Sequence, residues 1–117
     1  MTDEQIKILE DIGVDYDDVM ERFVDNDALY LKCLYKFLED DNFKTMCEGI
    51  EEKDALKAFE GAHALKGVSA NLGFEDLVME VCIITEVFRA GRLDYNESNF
   101  ERLKSEYEKT IKAINSL

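Results

Sequence analysis

Residues 54–74 read Asp54-Ala55-Leu56-Lys57-Ala58-Phe59-Glu60-Gly61-Ala62-His63-Ala64-Leu65-Lys66-Gly67-Val68-Ser69-Ala70-Asn71-Leu72-Gly73-Phe74. The periodic spacing of apolar residues, with no proline, predicts one helix. Asp54 caps its start, and Gly73, free to turn left-handed, stops it after about Asn71. Placed at about 100° per residue, Ala58, Ala62, Leu65, Ser69 and Leu72 share one arc, which should face a core. Lys57, Glu60, Ala64 and Asn71 fall on an arc that should meet water. The third arc holds Leu56, Phe59, His63, Lys66, Gly67 and Ala70, well over 90° from the core arc. It is neither a plain core face nor a plain solvated one.

Helix signals continue on both sides. Thr2 with Gln5 reads as a capping box for a short helix ending near Gly13, with Ile6, Leu9 and Ile12 on its apolar stripe. Asp15 caps a second short helix carrying Val19, Met20 and Phe23. Asn26 or Asp27 starts the next, with Leu31, Leu34, Tyr35 and Leu38 as its buried face. Asp40-Asp41-Asn42 interrupts the pattern as a kink or restart, and helix resumes through Phe43, Met46, Cys47 and Ile50. After Gly73, a helix over 74–90 turns Leu77, Val81, Ile84 and Phe88 inward and stops at Gly91. Asp94 with Glu97 reads as a capping box for a last helix, through Phe100, Leu103, Tyr107, Ile111 and Ile114 to about Asn115. Long helices with short connections predict an all-α chain: an antiparallel four-helix bundle with short additional N-terminal helices. At 117 residues the expectation is a single domain, 26–117 forming the bundle and 1–25 packing on its open end.

Composition narrows the function classes. Acidic residues outnumber basic ones 27 to 14, a net charge of −13 with no concentrated basic patch, so neither nucleic acid nor an anionic membrane surface is an expected partner. The longest run without a charge, Gly67 to Phe74, is far too short for a membrane span. Cys33, Cys47 and Cys82 are an odd, widely spaced set in apolar surroundings, read as reduced core thiols of a cytoplasmic protein. With a single histidine, no metal site and no cofactor are expected. Gly61, Gly67 and Gly73 sit six apart within or ending a helix, unlike a phosphate-binding loop.

The third arc carries the chemistry. His63, Lys66 and Gly67 stand at i, i+3 and i+4 and so share a helix face. A neutral imidazole is a good nitrogen nucleophile, and an anionic group placed on it would lie beside the Lys66 ammonium. Gly67 costs a helix roughly 1 kcal/mol relative to alanine, which close approach of a partner's loop would offset. Leu56, Phe59 and Ala70 give this polar centre an apolar rim, the pattern of a partner-docking surface. The grouping suits a histidine that takes a phosphoryl group from another protein and passes it on. Nothing in the chain supplies machinery to phosphorylate it, so no independent catalytic centre is expected.

His63-Ala64-Leu65-Lys66-Gly67, followed by Ser69, Ala70, Asn71, Leu72 and Gly73, resembles the signature of histidine-containing phosphotransfer (HPt) domains. Phe37-Leu38-Glu39-Asp40 and the stretch Leu77 to Gly91 resemble that family's flanking helices, so the resemblance spans about Leu29 to Gly91. The last helix fits it only as generic helix. The resemblance implies a four-helix bundle with His63 as phosphoacceptor through Nε2. It also implies that Lys66 neutralises phosphoryl charge and that Gly67 gives steric access. The partners it implies are a response-regulator receiver domain, a hybrid sensor histidine kinase, or both, with the magnesium and catalytic carboxylates on the partner. A monomer is expected. One departure is that the family often has a Leu-Glu pair where this chain has Ile84-Thr85 before Glu86. Two other readings stay open: a module that docks on a receiver without being phosphorylated, and a hydrolase using His63, for which no triad spacing is visible.

Overall fold

The computed structural model describes all 117 residues as seven helices and no strand. They are α1 (Asp3–Asp11), α2 (Tyr16–Arg22), α3 (Asp27–Phe37), α4 (Asn42–Glu51), α5 (Ala55–Leu72), α6 (Glu75–Arg89) and α7 (Glu97–Asn115). Side-chain caps set most of the starts. Thr2 and Gln5 form the reciprocal capping box, and Asp15, Asn26 and Asp54 each accept from the backbone N–H three residues on. The last helix starts differently from the expectation. Asn96, not Asp94, is its cap, accepting from Asn99 N–H at 3.1 Å. The Asp94 carboxylate is instead held by the Arg92 guanidinium at 2.8 and 2.9 Å.

Helix α4 packs on α5, α5 on α6 and α6 on α7. The ring closes where Phe43 of α4 stacks on Tyr107 of α7, centroids 4.1 Å apart. The break after Phe37 is a true restart: Asp40 Oδ1 accepts from Asn42 N–H at 2.9 Å, and α3, like α4, packs on α5. This break corrects the expected buried face of α3. Tyr30, Leu34 and Phe37 point inward, whereas Tyr35 and Leu38 are exposed and Leu31 is half-buried. Both sets have helical spacing, and the tertiary partners decide between them. Phe37 meets Phe74 edge-on at 5.2 Å, and the Tyr30 hydroxyl donates to Leu72 C=O at 2.8 Å.

Two glycines set the closest approach in the bundle. A Cβ at Gly49 would lie 2.3 Å from Ala58 N, and one at Gly61 would lie 2.4 Å from Met46 N. The backbones of α4 and α5 therefore touch, and α5 buries Ala58, Ala62, Leu65, Ser69 and Leu72 as its wheel indicated. The face expected to be solvated is only partly so, because Lys57 and Ala64 are half-buried. Leu9, Val14, Val19 and Met20 from residues 1–25 belong to the same buried cluster as the bundle core. Val14 and Val19 close over the left-handed Gly73.

Burial pushes the Tyr30 phenol well above the ordinary tyrosine range. A folded-state value raised above the unfolded one means that the folded chain holds the proton longer. The stabilisation is then complete below about pH 10 and is lost as pH rises beyond it. In urea titrations, stability is expected to fall from pH 10 upward. Tyr30→Phe should cost about 1–2 kcal/mol at pH 7, by leaving the Leu72 carbonyl unpaired, and should flatten part of that alkaline decline.

Candidate functional site

Helix α5 is enclosed by α4 and α3 on one side and by α6 on another, and its third face is open. His63, Gly67 and Ala70 are exposed there, Leu56 is 66% exposed, and Phe59 and Lys66 are half-buried. The structure thus brings the six residues of the third arc onto one stripe. No protein atom lies within 4 Å of where a Gly67 Cβ would be, so nothing inside the fold requires a glycine there. The contrast with Gly61, six residues earlier on the same helix, is sharp. The Lys66 ammonium has no carboxylate partner, whereas Lys57 on the same helix is tied to Glu52 at 2.6 Å.

The imidazole is held by an aromatic neighbour. Phe59, one turn before His63, stacks on it with centroids 5.3 Å apart and planes 24° from parallel. Over the same Phe59 ring lies the Arg89 guanidinium of α6, 4.8 Å from the centroid, a cation–π contact. Glu86 steadies Arg89 through Nε at 2.8 Å. Of residues 84–86, where the family often has a Leu-Glu pair, only Glu86 is tied to this stack, through Arg89. Ile84 and Thr85 are buried, and the Thr85 hydroxyl donates back to Val81 C=O at 2.6 Å. Arg89 and Glu86 were missed in the sequence, because only the antiparallel register of α5 and α6 brings position 89 to position 59. Helix α6 also exposes Met79 (65%) and Ile83 (51%), which share a face with Glu86 by spacing.

The C-terminal end of the stripe is anchored by residues that the sequence reading passed over. Arg22 of α2 donates through Nη1 to Ala70 C=O at 2.8 Å and to Asn71 C=O at 2.7 Å, while Nη2 pairs with Asp18 at 2.9 Å. With Tyr30 on Leu72 C=O and Phe74 N–H on Ser69 C=O, four successive carbonyls at the end of α5 are satisfied. A cation at a helix C-terminus is also favoured by the helix dipole. No group of three or more His, Cys, Asp or Glu side chains is arranged to hold a metal ion, and no helix is long and apolar enough to cross a membrane.

The two glycines of α5 are expected to respond oppositely to alanine. Gly61→Ala should destabilise by about 3 kcal/mol, because its methyl would press on backbone atoms of α4. Gly67→Ala should stabilise by about 1 kcal/mol, because it adds helix propensity in open space. Chemical denaturation of the two variants beside wild type checks both signs.

Among known proteins, the family model described as the Hpt domain matches residues 34–113. The match runs from α3 to near the end of α7, so it takes in the last helix that the motif resemblance left as generic. It contains His63, Lys66 and Gly67 and begins after α1, α2 and the first turns of α3. No curated protein and no solved structure matched the chain. The family comprises phosphocarriers of two-component signalling that interact with response-regulator receiver domains, rather than enzymes. With more than half of the chain matched and an all-helical bundle around an exposed histidine, the protein belongs to the Hpt domain family.

Proposed function

We propose that this chain is a histidine phosphocarrier, taking a phosphoryl group on His63 and relaying it to or from an aspartate of a response-regulator receiver domain. The observation that carries this reading is the open stripe of α5. A solvent-exposed imidazole stands there with an unpaired lysine one turn on and a glycine that the fold does not need. In the forward step the Nε2 lone pair attacks the phosphorus of the aspartyl phosphate. The N–P bond forms as the P–O bond to the aspartate breaks, and the carboxylate leaves with its electron pair. Lys66 offsets the phosphoryl charge as a point donor. Gly67 leaves room for the receiver's loops, and Leu56, Phe59 and Ala70 form the apolar rim on which it seats. Phe59 has a second task, because its ring fixes the imidazole plane on one side. The partner brings the metal and the catalytic carboxylates, and the carrier works as a cytoplasmic monomer. Residues 1–25 and 26–117 act as one domain, in which the N-terminal helices close the end of the bundle and clamp α5 through Arg22.

Incubation with radiolabelled, aspartyl-phosphorylated receiver domains tests the relay. Wild type should acquire acid-labile, base-stable label, His63→Gln should acquire none, and Gly67→Ala should be labelled at least about tenfold more slowly although it is more stable. Receivers that bind without labelling either protein would favour the non-phosphorylated docking module instead. Deletion of residues 1–25 should expose apolar surface and lower the melting temperature, and an unchanged melting curve would refute their place in the domain.

A further inference from the structure

Helix α2 ends at Arg22, and the chain turns through Phe23-Val24-Asp25-Asn26 into α3. Val24 and Asp25 both lie in the left-handed region, with φ +54° and +60°. Their hydrogen bonds explain the geometry. Asp25 N–H donates to Met20 C=O at 2.7 Å and Val24 N–H to Glu21 C=O at 3.3 Å, the paired bonds that close a helix on a left-handed residue. Glycine or asparagine normally fills that position, and a β-branched side chain there is strained. Asn26 locks the turn from the far side, donating to Phe23 C=O at 3.0 Å and capping Leu29 N–H at 3.0 Å.

Val24 gives the fold nothing in return for that strain. Its side chain is 84% exposed, the most of any large hydrophobic residue in the chain. Strain that the surroundings enforce, at a residue without an internal role, points outward to function. The turn is also fixed to the helix that carries His63. Arg22 holds the Ala70 and Asn71 carbonyls, and Phe23 packs edge-on against Tyr30, whose hydroxyl holds Leu72. Ala70 is the C-terminal end of the exposed stripe, about 10 Å along the helix axis from His63. A protein interface of standard size covers about 800 Å² on each partner, a patch about 16 Å in radius. Centred on His63, such a patch reaches past Ala70, whose carbonyl is held by Arg22, two residues before Val24.

We infer that Val24 is a docking residue for the aspartate-bearing receiver domain, its exposed side chain entering an apolar recess at the edge of the partner's footprint. This rests on the docking half of the function proposed above, and the N-terminal turn becomes part of the surface that selects the receiver. Isothermal titration of isolated, unphosphorylated receiver domains against wild type, Val24→Asn and Val24→Leu tests it. Asparagine tolerates the left-handed conformation but removes the apolar tip, whereas leucine keeps an apolar tip. Val24→Asn should melt at or above the wild-type temperature yet bind roughly fivefold to tenfold more weakly. Val24→Leu should bind within about twofold of wild type. Unchanged affinity in Val24→Asn overturns the proposal, and so does equal weakening in both Val24 variants, which would mean that the backbone rather than the side chain matters. Titration with unphosphorylated receivers separates this proposal from phosphorylation, because no phosphoryl group is present to transfer. Receivers that do not bind wild type overturn the docking reading and this inference with it.

Discussion

Where Gly49 meets Ala58 and Gly61 meets Met46, helices α4 and α5 touch backbone to backbone. The rest of the molecule is arranged around that contact. Because α4 sits so close, the small residues Ala58 and Ala62 suffice to fill the seam, and the larger Leu65 and Leu72 fill the space farther down, against α3 and α6. With two sides of α5 committed to neighbours, the third side has none, and it carries His63. A bulkier seam would push α4 away from α5 and open the core that the two helices cover. The helix that presents the exposed histidine is thus held closely from another of its sides.

Glycine does three unlike things within thirteen residues of this helix. Gly61 admits a neighbouring helix, Gly67 leaves a gap that no part of the chain fills, and Gly73 turns the backbone left-handed to end the helix. Only the last is a local requirement of the backbone. The first is satisfied inside the protein, and the second is the kind of vacancy that a binding partner fills. The helix preference for alanine at position 67 is left unused, and so is the preference of a left-handed turn for glycine or asparagine at position 24. Gly67 lies on the exposed stripe, and the turn that holds Val24 is tied to the end of that stripe through Arg22.

Much of this was legible before any coordinates. The α5 wheel picked out the buried arc, because a long helix between two others has an unambiguous period, but Lys57 and Ala64 of its expected solvated arc are half-buried. The Thr2–Gln5 capping box, the Asp and Asn caps and the glycine stops placed most helix ends. Failures came where several local solutions compete. On α3, 31/34/35/38 and 30/34/37 are both apolar stripes, and only the Phe74 and Leu72 partners choose the second. Before α7, Asp94 and Asn96 are both good caps, and the Arg92 ion pair occupies the first. The stack of Arg89 on Phe59 and the grip of Arg22 on Ala70 join residues 30 and 48 positions apart. Spacing within one helix carries no information about such pairs.

The Arg22 bonds also bear on the order in which the chain assembles. Helices α4 to α7 are successive antiparallel neighbours, so their contacts close short loops and form early. The bonds from Arg22 to Ala70 and from Gln5 to Leu117 close loops of 48 and 112 residues. They can form only after the ends they join have been brought together by the bundle. The first two helices are then the last cooperative unit to dock and the first to detach, a subglobal opening of lower free energy than global unfolding. Each such opening frees the C-terminal carbonyls of α5 from Arg22 while α4 and α6 still grip the helix along its length. Amide exchange in this protein should accordingly fall into two tiers, with the histidine-bearing helix itself spanning the boundary between them.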